Sequence, residues 1–534
     1  MSPTLRALRA IALFAGFYLL GILLLSVLCV LDWAAFRWTW IPVAVMVLAR
    51  TSVLALPIVR GMFVPRIPKD DDVRGLHVDD TRQPRLWAMV RDLADRVGTR
   101  TPDEIVLTDQ VDASAVEDTR FLGLFAGRRR LLVGLPLMAG LSEAQLRSVL
   151  AHEISHFANS DTRLTAINTR GRIQTARTIT HFQEWVGKAV ATERARQEKK
   201  AAKALAKGKK AKKIDPSDAG TSLRRMAALY QRYALFSRRV TLSDTRCAEF
   251  AADAAAVRIA GRDVTASALL ETQVLLDMHE DYMDTYATLG VAAGMLPPPG
   301  QVLGGLRHVL AARKDELEEM RDSLPFEPSA PYTHPSVTER IARIEALPDD
   351  GRASEPVEPA LGLLVDTERT LADAEEQVLT PQMLRLRRVD WPDLVHESMT
   401  TYGKWSAQKF RTAVAEVTGG DGSVTDALDA LDAGAQWQIA DRLPKSDEAR
   451  AATGRAAREF ARPKLRDGLR QLVVSEYVRQ GRARWRLSWN DDDTSLELPR
   501  GHEEMLPVAL DATVADVPDT KLLRELLTVP GQCA

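Results

Sequence analysis

The chain has 534 residues and a formal net charge of −1, which is length for two or three domains and no global sign of a nucleic-acid or acidic partner. Three cysteines, Cys29, Cys247 and Cys533, stand far apart with no C-x-x-C, which argues against a disulfide framework and against a cysteine-ligated zinc. Ala, Arg, Asp, Leu and Val are abundant and Lys is concentrated in one stretch, the usage of a GC-rich bacterial genome.

Ile11 to Leu31 is an uninterrupted apolar run long enough to span a bilayer. A secretory signal would have a shorter apolar core followed by a small-x-small cleavage site. Here bulky residues continue to Asp32, and Leu28 before Cys29 disfavours a lipoprotein site, so the run reads as a retained helix. Trp40 to Val59 follows as a second span, interrupted by Arg50. Trp33, Trp38 and Trp40 border the connecting loop, as interfacial aromatics do. Arg6 and Arg9 precede the first run, and Arg60, Arg66 and Lys69 follow the second, whereas the loop holds only Arg37 against Asp32. The positive-inside rule then puts both ends, and all that follows, in the cytosol.

Residues 104–109 and 130–135 are expected to be strands of a small sheet. Next comes SEAQLRSVLAHEISHFANSD. Ser142 with Gln145 is a capping box, and Leu146, Val149, Leu150, Ile154 and Phe157 supply helical apolar spacing. On that helix His152 and His156 are one turn apart on one face, so both imidazoles reach one ion. Glu153 is turned about 100° from His152 and faces a water on that ion. This is the mechanical content of H-E-x-x-H: a metal that acidifies water and a carboxylate that takes its proton. His396-Glu397 and His502-Glu503 begin the same pattern, but Thr400 and Leu506 stand where the second histidine is needed.

A Lys-rich run, residues 193–213, has the charge to touch anionic lipid headgroups or nucleic acid, but it lacks the interleaved aromatics of a base-stacking surface and reads as a solvated helical or disordered insertion, so no nucleic acid is expected. A second helical stretch, SDTRCAEFAADAAAVRIAG, carries Glu249 and Asp253 at i and i+4. Glu249 can supply a third ligand, Asp253 can accept the N–H of a ligating histidine, and Cys247 points elsewhere, into packing. Residues 348–359 are a Pro/Gly/Asp-rich linker. Beyond it, 360–534 reads as a separate α+β module with a hairpin at RWRLSWNDDDTSLEL and no catalytic motif.

HEISHFANSD at His152–Asp161, EFAAD at Glu249–Asp253 and THPSVTERIARIEAL at Thr333–Leu347, in that order and behind two apolar spans, resemble the HtpX-like membrane metalloproteases, the family that includes the CAAX prenyl proteases. The resemblance implies a mainly α, zincin-like domain with a small sheet over residues 70–347, one Zn2+ per chain, and protein or peptide substrates. It implies His152, His156 and Glu249 as zinc ligands, Glu153 as general base and Asp253 as a supporting residue. His334 is implied as the donor to the tetrahedral intermediate and Arg340 as the arginine tying that block to the site. Membrane-protein quality control is the broad role it suggests. One departure is VDASAV, where Asp112 occupies the position of a family asparagine; a carboxylate cannot donate to an oxyanion as an amide does. Residues 162–241 are too polar for the further spans such chains often carry, so only the N-terminal hairpin is expected in the membrane. A zinc-binding scaffold acting through 360–534 is one rival reading; lipid-peptide processing, as in CAAX proteases, is a second, and the missing extra spans count against it.

Overall fold

The computed structural model describes residues 3–63, 74–120, 125–158, 161–207, 215–216, 218–323, 335–348, 358–446, 448, 452–490 and 494–528. The chain is mostly helical with small sheets and forms two compact units. The first comprises Met1–Gln273 and Ser323–Val365, the second Val274–Asp322 and Asp366–Ala534. Compactness thus divides the chain elsewhere than its punctuation does. Residues 274–322, upstream of the 348–359 linker, pack with the C-terminal helices because their buried polar groups find partners there, as described below.

The first unit opens with two helices, α1 (Pro3–Trp38) and α2 (Ile41–Met62). Pro42 starts α2, where a missing N–H costs no helical bond. Asp32 accepts from Thr51 Oγ1 at 2.7 Å, which satisfies the one carboxylate of α1 across the hairpin. By length and composition both helices can cross a membrane, and most of their apolar surface lies outside the protein interior.

A four-stranded sheet follows: β1 (Leu76–Val78), β2 (Glu104–Thr108), β3 (Ala113–Arg120) and β4 (Phe125–Gly134), in the order β1-β2-β4-β3. β2 and β4 are the expected strands and pair in parallel, Glu104 opposite Arg130. β3 returns antiparallel and forms an edge. Helix α3 (Pro84–Val97) precedes β2, and the short α4 (Leu135–Gly140) leads from β4 to α5 (Glu143–Ala158). The capping box is formed: Ser142 N donates to Gln145 Oε1 at 2.9 Å and Gln145 N to Ser142 Oγ at 3.2 Å. Leu146, Leu150, Ile154 and Phe157 are buried, which seats one face of α5 in the core.

Two long helices come next, α6 (Asp161–Leu205) and α7 (Thr221–Ala260), followed by α8 (Arg262–Tyr282). Much of the Lys-rich run is the exposed end of α6. Despite their polarity, α6 and α7 pack on the apolar hairpin. Phe17, Ile58, Met62, Phe182, Leu223, Ala227 and Tyr230 form one buried cluster. Gln174 Nε2 donates to Tyr18 Oη at 3.0 Å, and Tyr233 Oη donates to the Leu13 carbonyl. Gly61 allows the close approach of α2 to α6; a Cβ there would lie 1.8 Å from Thr178 Oγ1. Three short helices, α9 (Gln301–Gly304), α10 (Leu306–Ala312) and α11 (Lys314–Ser323), precede α12 (Val337–Glu345), which belongs to the first unit.

In the second unit the core lies among α14 (Trp391–Thr418), α15 (Val424–Asp432), α16 (Gln436–Arg442), α17 (Gly454–Arg479) and the C-terminal helices 502–513 and 521–528. Glu375, on α13 (Thr367–Val378), accepts from Val302 N at 2.6 Å and pairs with Arg388 at 2.9 Å. Arg313 donates to the Trp489 carbonyl at 3.0 Å and to Tyr286 Oη at 3.0 Å. These contacts fasten 274–322 into this unit. The expected hairpin is present as antiparallel strands 484–486 and 495–497.

Candidate active site

α5 presents His152, Glu153 and His156, and α7 presents Glu249 and Asp253. The two helices pack closely, so residues about a hundred positions apart in sequence meet. His152 Nε2 lies 3.3 Å from His156 Nε2. Glu249 Oε2 lies 3.5 Å from His152 Nε2, and Oε1 lies 3.9 Å from His156 Nε2. The three side chains offer one ligand atom each within 4.8 Å of one another. Ligands held about 2.0–2.1 Å from a tetrahedral zinc stand about 3.3–3.4 Å apart. Two imidazole nitrogens and a carboxylate at these separations fit such an ion, and the three-ligand set leaves a coordination position open.

The ring of His152 is fixed from behind. Its Nδ1 lies 2.9 Å from Asp253 Oδ1. An N–H donated there leaves the Nε2 lone pair pointing to the shared centre. Asp253 in turn accepts two bonds from Arg340, Nη2 to Oδ1 at 2.6 Å and Nε to Oδ2 at 2.9 Å. Arg340 is on α12, whose first turn is capped by Ser336 Oγ accepting from Glu339 N at 3.2 Å. α12 is also tied to α7 by the Arg246–Glu339 ion pair and by Arg343 over the Phe250 ring at 3.8 Å.

The electrostatics follow from this enclosure. Burial disfavours a charged His152, but hydrogen bonds to Asp253 and Glu249 outweigh it and push the imidazole up to about 9 in the metal-free chain. Burial alone would raise Asp253, yet the bonds from His152 and Arg340 hold it below the usual carboxylate range.

Glu153 stands beside this centre. Its Oε2 accepts from the Ala115 backbone N–H of β3 at 3.2 Å, and its Oε1 is 3.9 Å from His152 Nε2. This main-chain anchor was not foreseeable from residue types. Beneath α5, the buried Arg129 of β4 pairs with Glu117 of β3 at 3.2 Å and sits 5.0 Å from the Phe157 ring. The sheet and the histidine helix are thereby joined at the far end of α5.

Residues 80–347 match the model of peptidase family M48. The chain belongs to peptidase family M48. M48 is a zinc metalloprotease family, consistent with the HtpX-like resemblance and with the donor set of α5 and α7. No solved structure matches the chain.

Of the remaining expected residues, Asp112 is exposed and immediately precedes β3, three positions before the N–H that anchors Glu153. His334 lies outside the described residues. Cys247 is exposed, which corrects the expectation that it packs in the interior: its side of α7 faces away from the core. The two incomplete H-E motifs have other partners. His396 Nδ1 accepts from Trp485 N at 3.2 Å, and His502 Nδ1 is 2.9 Å from Tyr477 Oη.

Proposed function

We propose that this M48 member is a membrane-anchored zinc endopeptidase whose site opens to the cytosol. The observation that carries the reading is the convergence of His152, His156 and Glu249 at zinc-ligand separations with Glu153 beside them. His152, His156 and Glu249 hold the ion, one per chain. Zn2+ supplies a Lewis acid that polarises a peptide carbonyl and lowers the pKa of water towards 7. Glu153 takes the proton of the attacking water at its carboxylate and delivers it to the leaving amine. An extended peptide adds along the free edge of β3, which brings its scissile bond past Glu153. His334 donates to the oxyanion. Asp253 orients His152, and Arg340 holds Asp253 charged. Unfolded or damaged membrane proteins are the substrates the HtpX-like resemblance favours. The zinc-binding scaffold remains the second reading, resting on Asp112 in the asparagine position. Cleavage of casein by the full chain purified in detergent, with metal analysis of the same sample, tests enzyme against scaffold.

Arg340→Gln tests the supporting role. The amide loses the charge and one arm of the fork on Asp253, so His152 is held less firmly. Zinc affinity should fall roughly 10–100-fold, as for other outer partners of metal ligands. Titration with a competing chelator measures it, and unchanged affinity would remove Arg340 from the site.

Orientation is tested separately. The basic flanks Arg6, Arg9, Arg60, Arg66 and Lys69 support an orientation with both ends of the α1–α2 hairpin in the cytosol. Reporter fusions made after Lys69 should score cytosolic; an external score reverses the assignment.

A further inference from the structure

Residues 163–239 contain twenty Lys and Arg against five Asp and Glu, in a chain whose formal net charge is −1. This stretch comprises nearly all of α6 and the first half of α7, the helices that pack on the apolar hairpin. On α7, Arg225, Leu229, Arg232, Phe236 and Arg239 follow one another at steps of four, three, four and three, and all five are exposed. At about 100° per residue they fall within roughly 80° of arc, a single stripe of alternating cationic and apolar side chains. Leu223, Ala227 and Tyr230, on the other side of the same helix, are buried in the cluster with α1, α2 and α6. Phe236 is 56% exposed and Leu229 39%, so water meets large apolar groups bracketed by guanidinium groups.

We infer that this stripe of α7 docks on the anionic phospholipid headgroups of the bilayer that holds α1 and α2. The chemistry matches on both counts. Leu229 and Phe236 enter the boundary between headgroups and acyl chains, and the flanking arginines bind phosphate oxygens. An anionic leaflet concentrates cations within a Debye length, and the exposed Lys199, Lys200, Lys203 and Lys207 of α6 add to that attraction. Continuity decides between lipid and an acidic protein. The buried side of α7 touches α1 through Tyr230 and Tyr233, and the apolar exposed surface of α1 begins beside that contact. A bilayer around the hairpin therefore brings headgroups alongside α7 with no added partner. The inference rests on the reading of α1–α2 as a membrane hairpin.

The test uses the full chain with Cys29, Cys247 and Cys533 replaced by serine, reconstituted in bilayer discs and carrying one nitroxide label. The discs contain phosphatidylcholine alone, or phosphatidylcholine with phosphatidylglycerol at roughly two to one. A label at Phe236→Cys should lose access to a water-soluble nickel relaxant on the order of threefold or more when phosphatidylglycerol is present. Arg225→Gln, Arg232→Gln and Arg239→Gln combined should abolish that loss, as should high salt. A label at Leu23→Cys, on the exposed side of α1, should stay oxygen-accessible and nickel-inaccessible in both lipids. Circular dichroism confirms that the triple variant keeps its helices. Equal nickel access at position 236 in both lipids, or a loss unaffected by the triple substitution, overturns the inference while the hairpin reading stands, and an acidic protein partner then takes the stripe. Nickel access at position 23 overturns the hairpin reading and this inference with it.

Discussion

Glu153→Gln is expected to leave zinc bound and to lower hydrolysis of an unfolded protein by roughly 10²–10⁴-fold, the usual weight of general acid–base catalysis. Glutamine has the same length and can keep the bond from the Ala115 N–H, now accepted by its amide oxygen at the place where Glu153 Oε2 stands 3.2 Å away. The three donors His152, His156 and Glu249 are untouched, so metal content should match the parent chain. What disappears is a group that can accept a proton near neutral pH and surrender it to an amine. Casein cleavage and metal analysis on the same purified sample separate the two effects. If both chains cleave equally, the peptidase assignment of this site fails and the scaffold reading replaces it. If the variant loses its metal as well, Glu153 belongs to the holding of the ion rather than to proton transfer.

Glu249→Ala should show the opposite pattern, with metal lost first and activity as a consequence. Removing it deletes the only oxygen of the three-donor set and leaves two imidazole nitrogens 3.3 Å apart. Two ligands bind zinc far more weakly than three, so the loss should exceed the roughly 10–100-fold expected for an outer partner such as Arg340. The order of effects is the discriminating result: metal retained in Glu153→Gln, weakened in Arg340→Gln, and absent at sub-stoichiometric free zinc in Glu249→Ala. Stoichiometric zinc in the Glu249→Ala chain would show that the ligand set is wrong. Far-ultraviolet circular dichroism guards against misfolding, since Glu249 is buried and Ala248 and Ala252 beside it on α7 are core residues.

The local parts of the site were legible in the sequence for a plain geometric reason. His152, Glu153 and His156 lie on one helix, where spacing alone determines which side chains share a face. The Ser142 cap and the apolar face of α5 were readable on the same grounds, and so were strands β2 and β4. Glu249 and Asp253 were legible as a pair on their own helix, but that this helix lies against α5 came from the family resemblance. Ala115 gave no signal, because a backbone N–H is common to every residue but proline and its use depends on where β3 runs. The buried Arg129–Glu117 pair was equally silent: each looks like surface charge until the bulged β3–β4 pairing brings them under α5. The Arg–Leu–Arg–Phe–Arg stripe is not legible in the polar composition of residues 162–241, because its periodicity shows only once α7 is continuous from Thr221. Tertiary packing, rather than propensity, also drew residues 274–322 into the second unit.

The anchor of Glu153 on Ala115 has an evolutionary consequence. A side-chain partner can be lost in one nucleotide change. A main-chain donor survives every substitution at its position except the one to proline. The setting of this carboxylate is therefore inherited through the path of the chain rather than through the identity of a neighbour. The side chain at position 115 can therefore change without removing the donor that holds Glu153, whereas a shift in the path of β3 would remove it.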